Sequence, residues 1–148
     1  MSEHGSLDDA LDALPAEGGT ADVDRGGHRA RVDVVEADRL GVRIRKLEVE
    51  RDEPLDVAHE ARDLPERMRS LPDRVAPVEI APSLGGARLR TRPEDLRGKE
   101  YYEVDVEPLR TTVRRTRATE DGREPADFTL TREQLERLID EVGDTERR

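Results

Sequence analysis

The stretch that decides the fold is Tyr101–Arg117, YYEVDVEPLRTTVRRTR. Its first half alternates, with Tyr102, Val104 and Val106 on one side and Glu103, Asp105 and Glu107 on the other. That period of two is the pattern of a half-buried strand. The second half, Leu109 to Arg117, carries four arginines in nine residues: Arg110, Arg114, Arg115 and Arg117. A basic, threonine-rich strand is one way to grip a phosphate backbone. It is also what a strand needs when its neighbour is acidic. Pairing the two halves about Pro108 and Leu109 puts Val104 opposite Val113 and Val106 opposite Thr111. Glu103 then faces Arg114, and Glu107 faces Arg110. One face stays apolar while the other becomes complementary charge. Arg115 falls beside Tyr102 on the apolar side, where it can stack on the ring and snorkel outward. The arginines are therefore expected to meet carboxylates of their own sheet.

Outward from this hairpin, the Asp121-Gly122 pair is a strong turn signal. It competes to pair the same strand with Ala126–Leu130, ADFTL, and a central strand would satisfy both. Towards the N-terminus, ARLRT alternates, SLGG is a turn and RPEDLRGKE a loop. RVAPVEIAP has Val78 and Ile80 between two prolines, which predicts an edge strand. HRARVDVVEA and VRIRKLEVE read as a hairpin across DRLG. Val42 and Ile44 lie on one face, Leu47 and Val49 on the other phase, so a bulge is expected near Lys46.

Residues 54–72 switch to helical spacing. Leu55, Ala58 and Ala61, then Leu64, Met68 and Leu71, fall three or four apart. Pro65 is tolerated only in a first turn, so two short helices are expected, the second capped by Asp63. The C-terminal LTREQLERLIDEVG is the clearest element. Thr131 and Gln134 form a capping box, Leu135, Leu138, Ile139 and Val142 form the stripe, and Gly143 supplies a left-handed stop. The order predicts an α+β fold: an antiparallel sheet of about six or seven strands, two short central helices and a capped C-terminal helix. Residues 28–143 form the expected single domain, with 144–148 frayed.

Residues 1–27 read as a flexible acidic tail, because EGGTADVDRGG is polar, glycine-rich and without period. Within it, Leu7, Ala10, Leu11 and Leu14 share one helical face, with Ser6 placed to cap. This helix docks in a partner's groove, or else it frays or packs on its own domain.

Composition bounds the function. The chain has 148 residues, 42% charged, 33% hydrophobic and 2% aromatic, with a formal net charge of -10. The core must come from Val, Leu, Ile and Ala, which is thin for this length, and self-association would relieve the shortage. An acidic chain is repelled by nucleic acid and anionic membranes unless its basic residues are segregated. There is no cysteine, so disulfides, thiolate metal sites and Cys nucleophiles are excluded. The acidic N-terminus lacks a cationic leader and an apolar core, and no apolar run could span a membrane. A cytoplasmic location follows as the expectation.

Catalytic signals are weak. His59 followed by Glu60 lacks the second histidine of a zinc-protease helix. Ser70 and Ser83 lack a nucleophile elbow, and no ligand set recurs at metal spacing. No cofactor is expected. The expected function is a non-enzymatic protein-interaction domain that binds a protein partner or itself. Its candidate contacts are Leu7, Leu11 and Leu14 on the N-terminal helix and Val78 and Ile80 on the edge strand. The alternative is single-stranded nucleic-acid binding through Arg110, Arg114, Arg115 and Arg117 with Tyr102.

Overall fold

The computed structural model describes residues 6–81, 85–92 and 98–144. The elements in chain order are α1 (Leu7–Asp12), β1 (Gly19–Asp24), β2 (His28–Ala37), β3 (Gly41–Arg51), α2 (Val57–Arg67), β4 (Val75–Ala81), β5 (Gly86–Thr91), β6 (Glu100–Val106), β7 (Arg110–Thr119), β8 (Gly122–Ala126), β9 (Phe128–Thr131) and α3 (Arg132–Gly143). All pairings are antiparallel, so the chain is α+β and mostly sheet. The sheet has nine strands, in the order β1-β2-β3-β7-β6-β5-β4, with β8 beside β7 and β9 beside β3.

The central hairpin has the register that charge and apolar parity dictate. Tyr102 pairs with Arg115, Glu103 with Arg114, Val104 with Val113 and Val106 with Thr111. Glu107 and Arg110 close the two-residue loop through backbone bonds in both directions. Arg45 is the extra residue that lets β3 change phase, since Ile44 faces Val34 while Lys46 faces Asp33. That bulge turns Val42, Ile44, Leu47 and Val49 all inward, where they are fully buried. β4 is a terminal strand of the sheet, and its own register slips between Pro77 and Glu79.

Of ADFTL only Ala126 pairs with β7, opposite Arg115, while Phe128–Leu130 pair with β3. The first half of β7 is occupied by β3, over Arg110–Arg114 against Lys46–Glu50. The returning chain therefore pairs with what is left: β8 with the second half of β7, then β9 with Gly41–Ile44 of β3. The turn before β8 is also displaced by one residue, to Glu120-Asp121, because Thr119 pairs with Gly122.

Three further expectations are corrected. Residues 6–24 are not a tail: Ser6 caps α1, β1 extends the sheet, and Leu7, Leu11, Ala21 and Val23 are buried. Their few apolar residues suffice because Ala21 and Val23, two positions apart on β1, both face the core. α2 is one helix and not two; Asp56 is its N-cap and Pro65 lies inside its last turn. Only a short stretch follows Pro65, so few bonds are disturbed, and the stripe Val57, Ala61, Leu64, Met68 stays buried. Asp63 accepts from Arg67 instead of capping. Gly143 has no left-handed conformation. It ends α3 as a helical residue against the His28 ring. The capping box of Thr131 and Gln134 is present. Residues 145–148, Ser83 and Leu84 of SLGG and residues 93–97 of RPEDLRGKE lie outside the described residues.

The three helices contact one face of the sheet, α2 over β4–β6 and α3 over β2, β3 and β9, with α1 against β1 and α3. The core is a single cluster between these layers. The other face of β3, β7, β6 and β5 carries the charged side chains.

Candidate functional site

The uncovered sheet face is built by strand alternation: turning Val104, Val113 and Leu89 into the core turns Glu103, Asp105, Arg114, Arg88 and Arg90 out. Sheet twist makes the diagonal neighbours meet. Arg114 bonds Asp105, not the directly opposite Glu103. Arg88 Nε donates to Asp105 at 2.8 Å. Glu103 accepts from Arg90 Nε at 2.8 Å and from the Thr116 hydroxyl at 3.1 Å. Arg88 and Arg123 approach the same carboxylate at 3.7 and 3.8 Å. Under these groups Glu103 is only 7% exposed although it points away from the core.

Each arginine of the 110–117 run has a carboxylate partner. Arg110 lies 3.4 Å from Glu107 and 3.6 Å from Glu48. Arg115 Nε donates to Glu100 at 2.8 Å. Arg117 is 3.1 Å from both Glu100 and Glu124. The hydrogen bonds from Arg115 and then Arg117 hold the Glu100 carboxyl below its ordinary pKa.

Tyr102 is buried. The Arg115 guanidinium centre stands 4.5 Å from its ring centroid, and Phe128 meets it edge-on at 5.3 Å. Neither ring face is open to a base. Burial, ahead of its neighbouring charges, raises the Tyr102 pKa.

A groove of about 490 Å³ crosses this face over β3, β7, β6 and β5. Four cations line it, Lys46, Arg88, Arg110 and Arg114, and so do four carboxylates, Glu48, Glu79, Asp105 and Glu107. Its formal charge therefore balances.

The apolar candidates do not converge. Leu7 and Leu11 are buried in the chain's own core and Leu14 packs against it. Val78 is 56% exposed on the β4 edge, while Ile80 is partly buried. His59 is exposed on α2, whereas Glu60 is buried and faces Arg67, so the two make no joint site. The Ser70 hydroxyl donates to Glu141 at 2.9 Å, and Ser83 lies outside the described residues. The buried Glu60 gave no sequence signal beyond its place one turn before Leu64 and two turns before Arg67. No helix of the described residues is long and apolar enough to cross a membrane. Comparison with protein-family models, curated proteins and solved structures finds no match to this chain.

Proposed function

We propose that the chain is a non-catalytic protein-binding domain, and that its contact surface is the uncovered sheet face. The observation that carries this reading is charge cancellation: every guanidinium of the 110–117 run lies within ion-pair distance of a carboxylate on its own chain. Binding to a polyanion gains most of its free energy by releasing the counterions that basic side chains replace. Paired arginines give little such gain, because their carboxylates would have to be left behind. A protein surface of alternating charge can instead match the balanced groove group by group.

The test compares the wild-type chain with an Arg110→Glu/Arg114→Glu variant. A protein recovered with the first and lost with the second supports the groove, provided that Val78→Asp at the sheet edge retains it. Titration with single-stranded oligonucleotides across salt should show no binding. A steep salt slope that flattens when Arg115 and Arg117 become Ala would overturn the reading in favour of nucleic acid.

A further inference from the structure

We infer that α1 is an exchangeable element, and that its seat on β1 and α3 accepts the α1 of a second copy of this chain to give a reciprocal dimer. The helix has six residues. Isolated helices shorter than about 12–15 residues are marginal in water, so α1 depends on its seat. The fit is specific. Leu7 and Leu11 are buried, and the residues that follow them, Asp8 and Asp12, accept from Nη1 and Nη2 of Arg132 at 3.1 and 3.0 Å. A leucine-aspartate pair repeated at four-residue spacing thus presents an apolar stripe beside an acidic one.

The basic side of the seat is held by groups outside α1. Arg132 Nε donates to the Asp38 carbonyl at 2.8 Å, and the Arg132 amide donates to the Leu40 carbonyl at 3.1 Å. The guanidinium is therefore aimed by the β2–β3 turn. Arg39 and Arg137 line an open hollow that borders the seat, with Ser6 and Asp8 on one side of it and Glu133 and Glu136 on the other. With Asp8 removed, cations outnumber carboxylates there, although the chain as a whole carries -10. An acidic amphipathic helix is what this hollow selects.

The connection allows exchange. β1 stays in its sheet through an unbroken register from Gly19 against Val34 to Asp24 against Arg29. Residues 13–18 form a folded-back hinge, with the Gly18 amide bonded to the Pro15 carbonyl at 2.9 Å and Gly18 at φ 90°. A Cβ at Gly18 would stand 2.3 Å from the Val34 carbonyl oxygen, so the hinge is pinned at that end. Extended, its residues span up to about 20 Å, enough to reach a neighbour's seat. Short hinges that fold back on themselves favour such exchange. The contacts are identical within one copy and between two. A short linker corresponds to an effective concentration of order millimolar, so the dilute protein is a monomer and exchange grows with concentration.

Two experiments on the full chain test this. Deleting Ala16 and Glu17 shortens the hinge, so α1 no longer reaches its own seat. Sedimentation of that variant at micromolar concentration should show a dimer. The second mixes Arg132→Glu, which keeps the helix and reverses the seat, with Asp8→Arg/Asp12→Arg, which reverses the helix and keeps the seat. Native mass spectrometry should show a mixed dimer in excess of either homodimer. A mixture that stays monomeric at every concentration overturns the inference, whatever the hinge variant does.

Discussion

Both carboxylate oxygens of Glu60 accept from the Arg67 guanidinium, at 3.0 and 2.6 Å, and Glu60 is fully buried. Arg67 continues to the last turn of α3, where its Nε donates to the Glu141 carbonyl at 3.1 Å. A cation at a helix C-terminus satisfies carbonyls that have no partner within the helix. One ion pair thereby fastens α2 to α3. Arg67→Ala takes the bidentate guanidinium from a buried carboxylate, and breaking a buried pair this way costs about 3–5 kcal/mol. Replacing both residues with Met should cost far less, because no charge is then stranded. A double-mutant cycle by urea unfolding checks this; equal losses for the single and double variants would show that the pair's charge is not what matters.

Gly143 has a steric role that its place after a helical stripe disguises. A Cβ there would stand 2.2 Å from His28 Cδ2 and 2.4 Å from Nε2. The neighbour is a ring held at the start of β2, not the free end of a flexible chain. Gly143→Ala should destabilise by about 1–3 kcal/mol through overpacking. Adding His28→Ala should recover part of that loss, measured as melting temperature. A Gly143→Ala protein as stable as wild type would show that the ring moves freely.

His28 also sets a pH response. Burial pushes its pKa below the ordinary value, and Arg25 and Arg51 act in the same direction against Asp140 and Asp144. Its Nε2 lies 3.9 Å from Asp140. The unfolded chain takes up a proton at about pH 6.5 while the folded chain still resists it, so acid favours unfolding. The contribution is complete above that pH and is lost as pH falls towards the lower folded value. Wild type should lose melting temperature between about pH 7.5 and 5.5, around that same titration. His28→Gln should lose less. Parallel curves for the two proteins would exclude His28 as the titrating group.

The parts of this fold that were legible in the sequence are those set by neighbours in the chain. The hairpin about Pro108 follows from two strands whose apolar and charged positions match in only one register. The bulge at Arg45 follows from the phase change between Ile44 and Leu47, and the α3 cap from Thr131 and Gln134. What escaped was set by distant contacts. Val23 and Ala21 are too few to announce a strand, yet β2 lies ready to pair with them. Leu7 and Leu11 form a legible stripe, but a stripe does not say which groove covers it, and Arg132 lies 120 and more residues away. Asp105 replaces Glu103 as the partner of Arg114 because twist and side-chain length decide between opposite and diagonal neighbours. The charge balance of the groove was legible in part, since Lys46 and Glu48 join it from β3 only when β3 and β7 pair.

The N-terminal segment offers the largest test of the packing. Removing residues 1–24 takes away Leu7, Leu11 and Val23, all buried, and uncovers the β2 edge that β1 pairs with. It also removes the acidic partners of Arg132. Each buried Leu or Val contributes roughly 1.5–3 kcal/mol. A domain of this size has a total stability of about 5–15 kcal/mol, so the truncation removes a large share of it. At roughly 2–4 °C per kcal/mol, the melting temperature should fall by more than about 10 °C, with a shallower transition. Leu7→Ala/Leu11→Ala should reproduce part of the fall, because α1 then loses its anchor while β1 remains paired. Calorimetry of the three proteins checks this ordering. A truncated chain that melts as cooperatively and as high as the full one would mean that residues 6–24 add no net stability to the sheet they border.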